Sequence, residues 1–109
     1  MSNCIFCKII NKEITAQIIY EDDDLLMFND IQPKAPIHFL TIPKKHIVSL
    51  IEAQPENQEL LGKILLKSAE VAKIQGLTAG FKTQINNGIA GGQEVFHLHV
   101  HTFGELSHE

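Results

Sequence analysis

The chain has 109 residues, of which 44% are hydrophobic and 20% charged, and its 13 acidic residues against 9 basic ones leave a formal charge of −4. That balance fits one soluble domain over residues 1–109, and it excludes both a disordered segment and a basic stripe of the kind that grips a nucleic acid polymer. Every basic residue is lysine, so a bound phosphate must be held by backbone N–H groups and imidazoles rather than by a guanidinium fork.

The N-terminal run Met1-Ser2-Asn3-Cys4-Ile5-Phe6-Cys7-Lys8 lacks the apolar core of a secretory signal, and no stretch has the length of a membrane span. A cytoplasmic location without a membrane partner is expected. Cys4 and Cys7, the two cysteines of the chain, are spaced C-x-x-C; in a reducing compartment that spacing points to metal binding or redox chemistry before a structural disulfide. A short helix is predicted over 5–10. Apolar, β-prone runs at 17–20 and 25–28 flank Glu21-Asp22-Asp23-Asp24, which predicts a hairpin with a solvated acidic turn.

Two prolines make Gln32-Pro33-Lys34-Ala35-Pro36 a loop, after which 37–42 is predicted as a strand closed by Pro43. The clearest helix runs over 55–75. Leu60, Leu61, Ile64, Leu65, Val71 and Ala72 form its apolar stripe, Pro55 and Glu56 mark its start, and Gly76 follows its end. Two further strands are predicted over 81–86 and 95–103, joined by the glycine-rich Asn87-Gly88-Ile89-Ala90-Gly91-Gly92. Several consecutive strands around one long helix favour an α+β domain with a mostly antiparallel sheet. A domain this short buries a modest share of its surface, so a homodimer is also expected.

His97-Leu98-His99-Val100-His101 carries the chemistry. On a strand, a spacing of two puts three imidazoles on one face and Leu98 and Val100 on the other. Crowded imidazoles repel one another once protonated, which keeps neighbours neutral near pH 7 and available as nucleophile, base or metal ligand. A mononuclear metal site is the rival use of such a frame. The preceding segment, Asn86 to Gln93, offers a flexible loop whose N–H groups could converge on an anion.

Several motifs stand in one order along the chain: Cys4-Ile5-Phe6-Cys7-Lys8-Ile9-Ile10, Phe28-Asn29-Asp30-Ile31, Ala35-Pro36-Ile37-His38-Phe39-Leu40, Ile42-Pro43-Lys44-Lys45-His46, and Gly91-Gly92-Gln93-Glu94-Val95-Phe96-His97. With the triad, they resemble the nucleotide-binding, phosphoramidase-like branch of the histidine triad superfamily, from about Cys4 to Gly104. The resemblance implies an α+β histidine triad fold: a five-stranded, mostly antiparallel sheet, one long helix, a short N-terminal helix, and sheets joined across a homodimer. It implies attack by His99 on the α-phosphorus of a purine nucleotide such as AMP, giving a nucleotidyl-histidine that water resolves. His97, His101 and His38 would surround the nucleophile. Asp30 would accept bonds from the ribose hydroxyls, or could simply begin the turn at Gln32-Pro33. Asn86, Gly92, Glu94 and Val95 would line the phosphate side, and Ile9, Phe6, Phe28 and Ile31 would wall the base.

Cys4, Cys7, His46 and His97 match relatives that bind zinc as a closed, structural Cys₂His₂ site, and no organic cofactor is implied. Hydrolysis of dinucleoside polyphosphates, or nucleotide binding with incidental turnover, are the alternative functions. Three departures bear on substrate choice. Glu94 replaces the serine that many members place three residues before the triad, as in bacterial-type relatives. Thr102-Phe103-Gly104-Glu105 replaces an apolar pair followed by Gly-Gly-Arg, and the chain ends at Glu109 without the longer tail of some relatives.

Overall fold

The computed structural model describes residues 3–106. Helix α1 (Ile5–Ile10) is capped by Cys4, whose thiol accepts the Cys7 N–H at 3.3 Å. Five strands follow: β1 (Ile18–Glu21), β2 (Leu25–Asn29), β3 (Ile37–Pro43), β4 (Lys82–Gln84) and β5 (Val100–Gly104), with helix α2 (Gln58–Ile74) between β3 and β4. They form one sheet in the order β1-β2-β3-β5-β4, every neighbouring pair antiparallel. The α+β, antiparallel expectation is met. Among the described residues no helix is long and apolar enough to cross a membrane.

Residues 25–28 are buried without alternation, because helices cover both faces of the central strands. On one face Leu26, Phe28, Leu40 and Ile42 pack against Phe6 and Ile9 of α1. On the other, Met27 and Phe39 pack against Val71 and Ala72 of α2, and Leu25 and Val100 against Ile64. The strand period then sorts β5: Leu40 pairs with His101 and Thr41 with Val100, so His101 faces the α1 side and Val100 the α2 side. Helix α1 is short and leaves the β5 part of its face for the functional site.

Several expectations are corrected. The long helix does not begin at Pro55: residues Pro55–Asn57 make one 3₁₀ turn, in which the Asn57 side chain accepts the Gln54 N–H at 2.8 Å, and α2 starts at Gln58. Leu65 is not a stripe residue; it is exposed, and Ser68, one turn beyond Ile64, takes the buried position. Ser68 is tolerated there because its hydroxyl bonds to the Ile64 carbonyl and to Thr41, each at 2.7 Å. The acidic turn is not simply solvated. Asp22 accepts the N–H groups of Asp24 and Leu25 and the Tyr20 hydroxyl, and with Asp24 it pairs with Lys63 of α2. Burial works against the Asp22 charge, but these bonds outweigh it and hold the carboxyl well below the usual carboxylate range.

The last two strands are also shorter than predicted. The β3–β5 ladder ends where Pro43 has no N–H to give; Leu98 bonds to the Ile47 carbonyl instead. Residues 95–99 therefore run outside the sheet, and His101 is the one member of the triad on a strand.

Candidate active site

The departure from the ladder at Pro43 divides the triad between two clusters. The His97 ring turns under α1, where its Nε2–H donates to the Pro43 carbonyl at 2.8 Å and its Nδ1 faces the thiols of Cys4 and Cys7 at 3.4 and 3.6 Å. The His99 and His101 rings lie 5.0 Å apart, and His101 stands 5.2 Å from His38. The expectation of three imidazoles side by side on one strand face is thus corrected. Leu98 and Val100 are buried as expected, but so are His97 and His99.

The hydrogen bonds assign the protons. His99 Nδ1 lies 2.7 Å from the His97 carbonyl, which can only accept, so Nδ1 carries the hydrogen and Nε2 keeps its lone pair. Phe6 supports the ring edge-on at 5.1 Å. At His38, the Lys34 N–H donates to Nδ1 at 3.0 Å, which places the hydrogen on Nε2. That Nε2–H reaches His101 Nδ1 at 3.0 Å and Asp30 Oδ2 at 3.3 Å. His101 Nδ1 is then an acceptor, and the proton of its neutral ring sits on Nε2.

Burial is the main cause that keeps these rings neutral. It lowers His38 and His99 from the ordinary histidine range and brings His97 and His101 down to about 4. At His101 the neighbouring His99 and His38 rings add to the effect, and Asp30 opposes it. Asp30 has two engagements: Oδ1 accepts the Gln32 N–H at 2.8 Å, making the turn considered from the sequence, while Oδ2 faces the imidazole pair.

Cys4, Cys7, His46 and His97 bring four ligand atoms within 4.8 Å of one another. Cys7 Sγ lies 3.2 Å from His46 Nδ1, and the His46 and His97 rings are 4.8 Å apart. Two thiols and two imidazoles are donors that could hold a tetrahedral zinc ion, and the bond to Pro43 leaves His97 Nδ1 as the ring atom able to ligate one. Asp30, His38 and His101 form a second group of possible ligands.

The glycine-rich segment is braced rather than loose. Gly88 and Gly92 adopt positive φ, +77° and +81°, which only glycine takes without strain. Gln93, buried and unassigned from the sequence, ties the loop: its amide oxygen accepts the Gly88 N–H, and its NH₂ donates to the carbonyls of Val48 and Val95. Asn86 donates to the Gly91 carbonyl at 2.8 Å, and Glu94 is exposed. Phe6, Ile9 and Phe28 are members of the core cluster beneath α1, with Val95 packed against it, while Ile31 is 93% exposed. Sequence reasoning also missed Lys34, whose main chain fixes the His38 tautomer, and Phe103, whose ring lies 4.9 Å from that of His38. Motifs reveal side chains; they carry no signal for a main-chain donor.

A family model described as scavenger mRNA decapping enzyme C-term binding matches residues 3–108. Protein HitA of Neisseria gonorrhoeae is 62% identical over 104 residues, covering 95% of this chain and 97% of its own. The crystal structure of a HIT family hydrolase from Legionella pneumophila Philadelphia 1 superposes with a TM-score of 0.91 at 44% identity, covering 94% of this chain and 92% of that one. A zinc-bound histidine triad family protein from Mycobacterium smegmatis superposes with a TM-score of 0.83 at 35% identity, over 98% of this chain and 78% of its own. On sequence, fold and the arrangement of its histidines, the chain belongs to the histidine triad (HIT) family.

Proposed function

We propose that the protein hydrolyses purine nucleoside 5′-phosphoramidates at the α-phosphorus, with His99 as nucleophile. The observation that carries this reading is the pair of opposite tautomers: His99 presents a bare Nε2 held by the His97 carbonyl, and His101 presents an Nε2–H set by the relay from Lys34 through His38. A nucleophile and a hydrogen-bond donor thus stand on adjacent rings at neutral pH. In this reading His99 Nε2 forms a bond to phosphorus as the P–N bond of the nitrogen-protonated substrate breaks, so that the amine leaves neutral, while the His101 Nε2–H donates a hydrogen bond to a phosphoryl oxygen. Water then attacks phosphorus, its oxygen displaces His99 Nε2, and its surplus proton passes to the released amine or to solvent, which frees AMP.

Asn86, Gly92, Glu94 and Val95 line the phosphate side in this reading. Asp30 would accept from the ribose hydroxyls, and Phe6, Ile9, Phe28 and Ile31 would wall the base. Cys4, Cys7, His46 and His97 would hold a structural zinc, whose chemistry is to cross-link α1 to the segment before β5. Hydrolase and zinc-bound relatives of the same fold support both assignments. The edge strand β4 and the exposed Leu66 and Ile74 on α2 suit a homodimer.

The test is mass spectrometry of protein mixed briefly with adenosine 5′-phosphoramidate. An AMP adduct on the peptide bearing residues 97–101, absent from His99→Ala, is expected. Turnover by His99→Ala at the wild-type rate would refute the reading.

A further inference from the structure

Gln93 is buried where the glycine-rich turn passes into the segment that carries the triad. A buried amide needs partners for one carbonyl and two N–H hydrogens, and Gln93 meets all three demands on main-chain groups. Its Oε1 accepts the Gly88 N–H at 2.8 Å. Its two hydrogens go to the carbonyls of Val48 at 2.6 Å and Val95 at 3.0 Å, which can only accept. The Gln93 main-chain N–H returns to the Gly88 carbonyl at 3.1 Å, so residues 88 and 93 are joined by two bonds of opposite direction.

This bonding decides which donors the segment can offer to an anion. Gly91 and Gly92 spend their N–H groups inside the turn, on the carbonyls of Gly88 and Ile89 at 3.1 and 3.0 Å. The next two N–H groups along the chain, those of Glu94 and Val95, take no part in that internal bonding. The stretch that carries them is pinned at both ends by one residue. At its start the Gln93 N–H is held against Gly88, and at its end the Gln93 side chain holds the Val95 carbonyl. Val48, on the loop after β3, anchors the same side chain from outside. Donors fixed in this way need no rearrangement when a negative charge arrives. In a chain without arginine, fixed main-chain donors carry more of the work of holding a phosphate. The pinned stretch also leads directly to His97, whose carbonyl holds the His99 ring, so donors and nucleophile share one frame.

We infer that Gln93 is a positioning residue: without touching the nucleotide, it holds the Glu94 and Val95 N–H groups in the orientation that receives the phosphoryl group. The inference rests on the phosphate side assigned in the proposed function, and it makes the contribution of Gln93 specific to ligands that carry a phosphate.

Titrations with AMP and with adenosine, followed by NMR, test this. Gln93→Met keeps the length of the side chain and removes its three bonds. Its Kd for AMP should rise about ten- to hundredfold, the equivalent of one hydrogen bond to a charged group, while Kd for adenosine should change by less than about twofold. Asn87→Ala controls for a loosened loop: it removes the Oδ1 that accepts the Leu50 N–H at 2.8 Å and leaves the Gln93 bonds in place. The ratio of the two Kd values should therefore stay at the wild-type value in Asn87→Ala. A ratio unchanged in Gln93→Met, an equal loss in Asn87→Ala, or a wild type that binds AMP no more tightly than adenosine overturns the inference. Where Gln93→Met does not fold, wild-type amide spectra decide. AMP should shift the Glu94 and Val95 N–H signals together with the two Gln93 side-chain N–H signals, and adenosine should shift none of them. Glu94 and Val95 signals that AMP leaves in place, or moves without those of Gln93, overturn it. If wild type cleaves no phosphoramidate while Gln93→Met loses affinity for AMP alone, the phosphoramidase reading fails by itself and the positioning role stands.

Discussion

Replacing Thr41 and Thr102 separately by valine should shift stability in opposite directions, although the chemical change is the same. Both threonines are fully buried on the α2 face of the sheet. Ser68 donates its hydroxyl hydrogen to the Ile64 carbonyl, so the Thr41 hydroxyl must be the donor in its 2.7 Å bond with Ser68. Valine at position 41 removes that bond and should cost about 1 kcal/mol, the net worth of a typical buried hydrogen bond. Thr102 Oγ1 is buried with no partner among the described residues. Valine there relieves an unsatisfied hydroxyl without changing volume, which should add about 1 kcal/mol. The two variants should differ by roughly 2 kcal/mol, and each should shift Tm by about 4–8 °C from wild type for a domain of this size. Urea denaturation monitored by circular dichroism, with m unchanged, measures both. Turnover should be retained, because these side chains face away from His38 and His101. Shifts of the same sign would refute the assignment of which hydroxyl is paired.

Gly92→Ala should lose stability by about 1–2 kcal/mol, because φ is +81° there and the cost is backbone strain rather than a clash: the new Cβ meets Asn86 Nδ2 at an ordinary 3.5 Å. A denaturation midpoint equal to wild type would count against it. Stability should also fall as the solution is acidified. His101 is brought down to about 4 in the folded chain, whereas an unfolded histidine titrates near 6.5. Between those values the unfolded state binds more protons, so the contribution of the neutral ring is present above about pH 6.5 and is lost as pH falls through the folded value. Comparing urea midpoints of wild type and His101→Gln across that range should show a shallower slope in the variant; parallel slopes would assign the acid sensitivity elsewhere. Finally, Cys7→Ser should lower the zinc content of purified protein measured by plasma mass spectrometry, and chelation should lower the Tm of wild type more than that of the variant. Equal metal content in both proteins would remove Cys7 from the ligand set.

What the sequence revealed and what it hid follow one physical division. Helix α1 and the bodies of β2 and β3 were legible because an apolar run bounded by a cap, a turn or a proline has one economical fold. The side chains of Asp30, His38, His99 and His101 carry chemistry in their own identity, and the structure gathers them into one cluster. The end of the β3–β5 ladder was not legible. Period two predicted a continuous strand through His97, but the missing N–H of Pro43 acts on a partner more than fifty residues away, once the strands have paired. Likewise Leu65 fits a helical stripe by spacing, and its exposure depends on where the sheet lies against α2. Gln93 and Lys34 act through which main-chain groups fold against them, which spacing does not encode.

His97 joins the two halves of this site through different ends of one residue. Its ring is fixed by Pro43 on one nitrogen and faces the thiols with the other, while its carbonyl receives the His99 Nδ1–H, which leaves His99 Nε2 bare. Anything that rotates the ring strains the same short stretch of backbone that orients that carbonyl. A structural metal would therefore bear on catalysis without touching substrate, by limiting the freedom of the residue that selects the His99 tautomer. The departure from the sheet at Pro43 goes with this division: residues 97–99 lie outside the ladder, where the His97 ring meets the thiols of α1 while its carbonyl meets His99.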